Sequence, residues 1–159
     1  MAPLEISFTV PIEPQGKARP RRRSGQVRVY TPRKTRKAED AVRYAFAQVV
    51  GGRWKPWEGP VAVTVTAFFK RPKAWPKKRH ALAKERWLPC LKLPDADNIL
   101  KLVCDALNPS EHVWARGAWK DDKQVVDARV LKAWTNESGG RIAVHLQFLA
   151  ADAPLGVWL

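Results

Sequence analysis

The sequence predicts one small α+β domain, on three observations. Its 159 residues match the roughly 100–200 of a single domain. With 45% hydrophobic and 28% charged residues, it has the material for a buried core and lacks the composition of a disordered chain. Stretches of period 2 stand near both ends and in the middle, with stretches of helical period between them.

Leu4 to Val10 alternate as a first strand, stopped by Pro11 and Pro14. Arg28, Val29 and Tyr30 extend as a short second strand after the turn signal Ser24-Gly25. From Thr35 to Val50 the residues Ala38, Ala41, Val42, Ala45, Phe46 and Val49 share one helical face, and Gly51-Gly52 ends the helix. Val61 to Phe69 is a strand covered on at least one side. Pro76 to Trp87 holds a short basic helix with Ala81 and Leu82 inward. Ile99, Leu102, Val103, Ala106 and Leu107 then form a helical stripe, leaving Asn98, Lys101 and Asp105 on the opposite face. Pro94 cannot sit inside that helix, so it begins near Asp97, its expected N-cap, and Asn108-Pro109 closes it. Val125 to Trp134 and Arg141 to Leu149 are two further strands, joined at Ser138-Gly139-Gly140. Residues 1–150 make the domain and 151–159 a tail.

Charge narrows the function. The 29 Lys and Arg against 15 Asp and Glu give +14, which favours a polyanionic partner, nucleic acid first. From Lys17 to Lys37 there is no acid, and a second basic stretch runs through Lys70, Arg71, Lys73, Lys77, Lys78 and Arg79. No apolar run approaches the roughly 20 residues of a membrane span, and the amino terminus lacks a signal-peptide pattern, so a soluble intracellular protein is expected. Cys90 and Cys104 have no metal-site spacing and are expected as reduced thiols. The scatter of His80, His112 and His145 argues against an imidazole metal site or a Ser-His-Asp triad.

Between Asp95 and Asp127 the sign reverses. Carboxylates repel phosphate, so a surface that only holds DNA gains affinity by losing them. A divalent cation turns such a cluster into a bridge to phosphate and supplies a Lewis acid. Asp95 and Asp97, two apart at the mouth of a helix, project to one side, and Mg²⁺ or Mn²⁺ stabilises both ionised forms. Lys101 lies one turn beyond Asp97, placed to orient a carboxylate, hold a phosphate oxygen or stabilise transition-state charge. Asp121-Asp122 adds a pair before a strand. Each has a plainer reading: Asp97 as a helix cap, Asp121-Asp122 as a polar turn, Asp105 and Asp127 as surface charges.

Taken in order, Pro94-Asp95-Ala96-Asp97-Asn98, Lys101, Asp105-Ala106-Leu107, Asp121-Asp122-Lys123-Gln124-Val125-Val126, Lys132 and the Gly139-Gly140-Arg141 turn resemble the RusA family of Holliday junction resolvases, over most of the chain to about Phe148. The resemblance implies an α+β homodimer with a mixed β-sheet and helices packed on it. It implies a crossover junction endodeoxyribonuclease that binds four-way DNA junctions and cuts two strands symmetrically with Mg²⁺, Mn²⁺ substituting. The setting is DNA recombination and repair in the cytoplasm of a bacterial or phage-infected cell. Position by position, the metal-site carboxylates are Asp95, Asp97 and Asp122, Lys101 is the supporting catalytic lysine, and Asp121 is the less favoured of its pair. The loop Pro109 to Trp119 looks longer than the family's connection. Metal-assisted hydrolysis needs no covalent enzyme intermediate and leaves 5′-phosphate and 3′-hydroxyl ends.

Arg19, Arg21, Arg22, Arg23, Lys34 and Lys101 are the candidate phosphate contacts, with preference set by branched shape rather than base readout. Two alternatives share much of this chemistry: a nuclease preferring forks or flaps, and a noncatalytic branched-DNA-binding protein. Trp54, Trp57, Trp75, Trp87 and Trp119 lie beside basic or proline-rich segments, either as stacking platforms for bases or as packing in core and interfaces.

Overall fold

Three helices stand between strands at either end of the chain in a computed structural model that describes residues 3–19, 21–22, 24–25, 29–111 and 116–155, with one strand among the helices. Along the chain come β1 (Leu4–Val10), β2 (Arg21–Arg22), β3 (Val29–Tyr30), α1 (Arg33–Val50), β4 (Val61–Phe69), α2 (Lys77–Glu85), α3 (Ala96–Leu107), a single 3-10 turn at Asp122–Gln124, β5 (Val125–Trp134) and β6 (Arg141–Phe148). The expected α+β class is what forms. The main sheet has the order β1-β6-β4-β5, antiparallel except for the parallel pair β4 and β5. The Ser138-Gly139-Gly140 turn therefore joins strands that are not neighbours, since β4 lies between them. Residues 135–140 are long enough to cross the two strand spacings, about 9.5 Å.

The register explains the core. Ile6, Leu146 and Val63 form one row across the sheet, Phe8, Val144 and Val65 the next, Val10, Ile142 and Ala67 a third. All nine are buried, and this face packs against α1 and α3. From Val65 onward β4 is buried on both faces, because Phe68 on the second face meets Trp87 edge-on at 5.1 Å and the Arg141 guanidinium at 3.9 Å.

In α1 the buried residues are Thr35, Ala38, Glu39, Val42 and Phe46. Val49, expected inward, is exposed, because the stripe steps from Phe46 to Val50, which packs on the core. Gly51 ends the helix at φ +73°, a left-handed conformation that glycine adopts without a steric cost. In α2 the correction is larger: Ala81 and Leu82 are exposed and only Ala83 is buried. That helix is held by its flanks, with Trp75 against Trp134 at 5.0 Å and the Arg71 guanidinium donating to the carbonyls of His80 and Glu137. The chain after it pairs with the outer edge of β5, where Cys90 N–H donates to Lys132 O and Trp134 N–H to Leu88 O.

Helix α3 buries Ile99, Leu102, Val103, Cys104, Ala106 and Leu107. It starts at Ala96, one residue before the expected cap. Asp95 is the last residue with extended backbone and occupies the N-cap position, Asp97 falls in the first turn, and neither caps an amide by its side chain. Full burial of a large apolar side chain stabilises by roughly 1.5–3 kcal/mol, so Ile99, Leu102, Val103 and Leu107 together outweigh the roughly 1 kcal/mol of a missing cap. The strand expected around Val29 pairs with Arg21 and Arg22 in a two-stranded ribbon turning at Gly25. Arg23 and Arg28 lie outside the described residues.

Candidate active site at the head of the third helix

The chain is brought to the head of α3 by a segment that contributes little apolar surface of its own. Gly16 packs so tightly there that a Cβ would stand 2.8 Å from Pro94 Cβ and 3.1 Å from Asn98 Cβ. The next residue, Lys17, donates its backbone N–H to the carbonyl of Asn98 at 3.1 Å. Its ammonium bridges α1 and α3, bonding Glu39 and lying 2.9 Å from Asp105. Burial works against the Lys17 charge, yet the hydrogen bonds and charges of Glu39 and Asp105 more than offset it and leave its pKa raised.

Asp95 and Asp97 stand exposed at this head, Lys101 follows one turn later on the outer face, and Asp105 one turn beyond that. The Asp121-Asp122 pair is divided by its local structure. Asp121 caps the 3-10 turn, accepting from Lys123 N–H at 2.9 Å, while Gln124 Oε1 accepts from Asp121 N–H and Gln124 Nε2 donates to the carbonyls of Trp57 and Gly59. These bonds fix the turn and leave the Asp122 carboxylate exposed. On α3, burial first, then the negative charges of Asp122 and Asp105, push the Cys104 thiol up to about 12.

Pairing separates the acids into two groups. Glu13 faces Lys92, Glu58 faces Lys120, Asp127 faces Arg129 and Glu137 faces Arg141, besides the acids on Lys17. Among the described residues the side chains of Asp95, Asp97 and Asp122 have no hydrogen bond or ion pair, and neither has that of Lys101; the side chains of Glu85, Glu111 and Asp152 are unpaired too. Exposed to water in a chain with 14 more basic than acidic residues, these carboxylates are readily held ionised, and with no side-chain partner they are free to accept an external cation. Their hard oxygens suit Mg²⁺, which binds through one or two carboxylates and keeps several waters. No three His, Cys, Asp or Glu side chains among the described residues are gathered so that they could hold a metal ion: Asp95 and Asp97 share the head of α3, and Asp122 is not brought together with them as a three-carboxylate site.

The other sequence-predicted positions disperse around this head. Arg19 and Arg22 are exposed on the segment leading from Lys17, Arg21 lies in β2, Lys34 is exposed at the start of α1, and Arg23 is outside the described residues. The tryptophans are divided: Trp119 is fully buried with its Nε1 on Asn108 Oδ1, Trp54 and Trp57 pack on Phe148, and Trp75 and Trp87 fasten the α2 excursion. Both cysteines are free and buried. Sequence reasoning missed Lys17 and Glu39. The signal for Glu39 was present, an acid standing on the apolar stripe of α1 between Ala38 and Val42.

A strongly basic α+β domain that leaves carboxylates uncompensated beside its cations has the make-up of a nucleic-acid-cutting protein. The chain belongs to the RusA endodeoxyribonuclease family: residues 11–147 match the family profile described as endodeoxyribonuclease RusA. It is therefore a DNA-acting endonuclease of the Holliday junction resolvase class. It is also 33% identical over 153 residues, 92% of this chain and 98% of the relative, to the uncharacterized protein YqaN of Bacillus subtilis (strain 168). No helix among the described residues is long and apolar enough to cross a membrane.

Proposed function

We propose that the chain resolves four-way DNA junctions by Mg²⁺-dependent hydrolysis of two symmetrically placed phosphodiesters, acting as a homodimer. The observation that supports the reading is the family match over residues 11–147, together with the exposed, unpaired side chains of Asp95, Asp97 and Lys101 on the first turns of α3 and of Asp122 in the 3-10 turn before β5. In this reading the three carboxylates hold the ion, with water completing its shell. Mg²⁺ bound there supplies a Lewis acid and a water of lowered pKa. The carboxylates orient the attacking water by accepting its hydrogen bonds, and the Lys101 ammonium holds a non-bridging oxygen of the scissile phosphate as charge builds on it. Arg19, Arg21, Arg22, Arg23 and Lys34 seat the flanking phosphates. One chain carries one such head, so two simultaneous cuts call for two chains.

The test is cleavage of a synthetic four-way junction, a fork, a flap and a linear duplex at equal salt, with and without Mg²⁺. Junction cutting at paired sites only with Mg²⁺ is expected. Asp97→Asn is expected to lower cutting by at least about a hundredfold while junction binding is kept or improved, since it removes a ligand and a charge facing phosphate. Undiminished cutting by Asp97→Asn removes that residue from the site. Absence of any cut product with Mg²⁺ favours the noncatalytic alternative.

A further inference from the structure

The excursion between β4 and α3, residues 70–92, takes no part in the candidate site, and its construction is hard to explain by folding alone. Helix α2 buries a single alanine, Ala83. Nine residues are too few to hold a helix by themselves in water, so the segment depends on the ties made by Trp75, Trp87 and Arg71. From Lys70 to Lys84 it contains no acid. Lys73, Lys77, Lys78 and Lys84 are exposed and, among the described residues, without an ion pair, and Arg79 lies over the Trp75 ring at 4.1 Å. Cations gathered this way repel one another, a cost that a polyanion relieves.

This surface is continuous with the head of α3. A hollow of about 310 Å³ is bordered by Gly16, Lys34, Lys92 and Pro94, the last adjoining Asp95. A second hollow, of about 560 Å³, is bordered by Lys70, Lys73, Lys92 and Trp134. They share Glu13 and Lys92. The one acid in the shared wall is already neutralised, since Glu13 faces Lys92 at 3.6 Å and accepts the backbone N–H of Lys70. A trench with Lys34, Lys92, Lys70 and Lys73 along it thus runs from beside the candidate site to the segment that leads into α2, and neither hollow is bordered by Arg19, Arg21 or Arg22.

We propose that this trench and the exposed face of α2 form a second DNA-contact surface, which grips a different arm of a branched molecule from the one held by the Arg19–Arg22 segment. Selectivity for branched over linear DNA then comes in part from α2. The inference rests on the reading that DNA is cut at the head of α3, but it is tested by binding without divalent cation, where no cutting occurs.

Binding of a labelled four-way junction and of a linear duplex of equal length is measured between about 50 and 200 mM salt for the parent, Lys77→Gln/Lys78→Gln, Lys73→Gln and the control Arg53→Gln/Lys55→Gln. The control removes two exposed charges beyond the far end of α1, which lies about 24 Å along the helix from Lys34. For the α2 double variant the junction affinity is expected to fall about tenfold, with a log–log salt slope shallower by about two. Lys73→Gln, which leaves the helix sequence intact, should lose about threefold and about one unit of slope. Duplex binding by either, and both substrates with the control, should stay within about twofold. Equal weakening on junction and duplex, no weakening, or the same loss in the control overturns the proposal. If Asp97→Asn still cuts while the α2 variants behave as expected, the active-site reading fails and the second surface stands.

Discussion

At the scale of single residues the most consequential side chain is one that touches no substrate. Lys17 fastens the basic amino-terminal segment to α1 and α3 at once, through Glu39 and Asp105. Removing one partner of a largely buried pair leaves the other uncompensated, which typically costs about 3–5 kcal/mol. Lys17→Met should accordingly lower stability by roughly 3 kcal/mol in urea denaturation, and Lys17→Met/Glu39→Gln should recover part of it. No loss in Lys17→Met, or no recovery in Lys17→Met/Glu39→Gln, contradicts the bridge. The acid on α1 was legible as an anomaly on an apolar stripe, but its partner was not, because Lys17 sits among nine other cations in an acid-free run and nothing local marks which one turns inward.

Among elements, the 3-10 turn before β5 separates two adjacent aspartates into different jobs. Asp121 is bonded into a capping box, whereas Asp122 is exposed and unpaired. Asp121→Ala should cost about 1 kcal/mol of stability and leave cutting largely intact, while Asp122→Asn should change stability by less than about 0.5 kcal/mol and abolish cutting. Thermal melts beside a cleavage assay resolve the two, and the reverse pattern would exchange their roles. Elements with one apolar stripe, α1 and α3, were legible to within a residue or two because burial follows the period of the pattern. Helix α2 was legible as a helix but not in its orientation, since a cationic helix with one buried alanine has no stripe to read, and its position is set by aromatic residues outside it.

For the molecule as a whole, three groups set the alkaline limit, one of them Cys90, whose thiol burial pushes above its ordinary value. Cys104 keeps its proton up to about 12 in the fold, against an ordinary value of 9.0, and Lys17 is raised above 10.5. A raised folded pKa means that the native state holds a proton the unfolded chain has released, so stability is complete below pH 9 and declines as pH rises, first through Cys90 and Cys104 and then through Lys17. Urea midpoints should be level from pH 7 to about 9 and fall above it, and Cys104→Ala should flatten the first part of that fall. A decline that begins at the same pH and with the same slope in Cys104→Ala assigns it elsewhere. The sheet order was beyond the reach of the sequence for a related reason: alternation tells which face of a strand is buried, not which strand lies beside it. That order has a consequence for biosynthesis. The last strand made, β6, supplies the partner for the first, and until residues 141–148 have left the ribosome β1 has nothing to pair with and the β4–β5 ribbon stands apart from it. The four-stranded sheet therefore cannot close before residues 141–148 are made, and a chain cut short of them lacks the surface on which β1 is held.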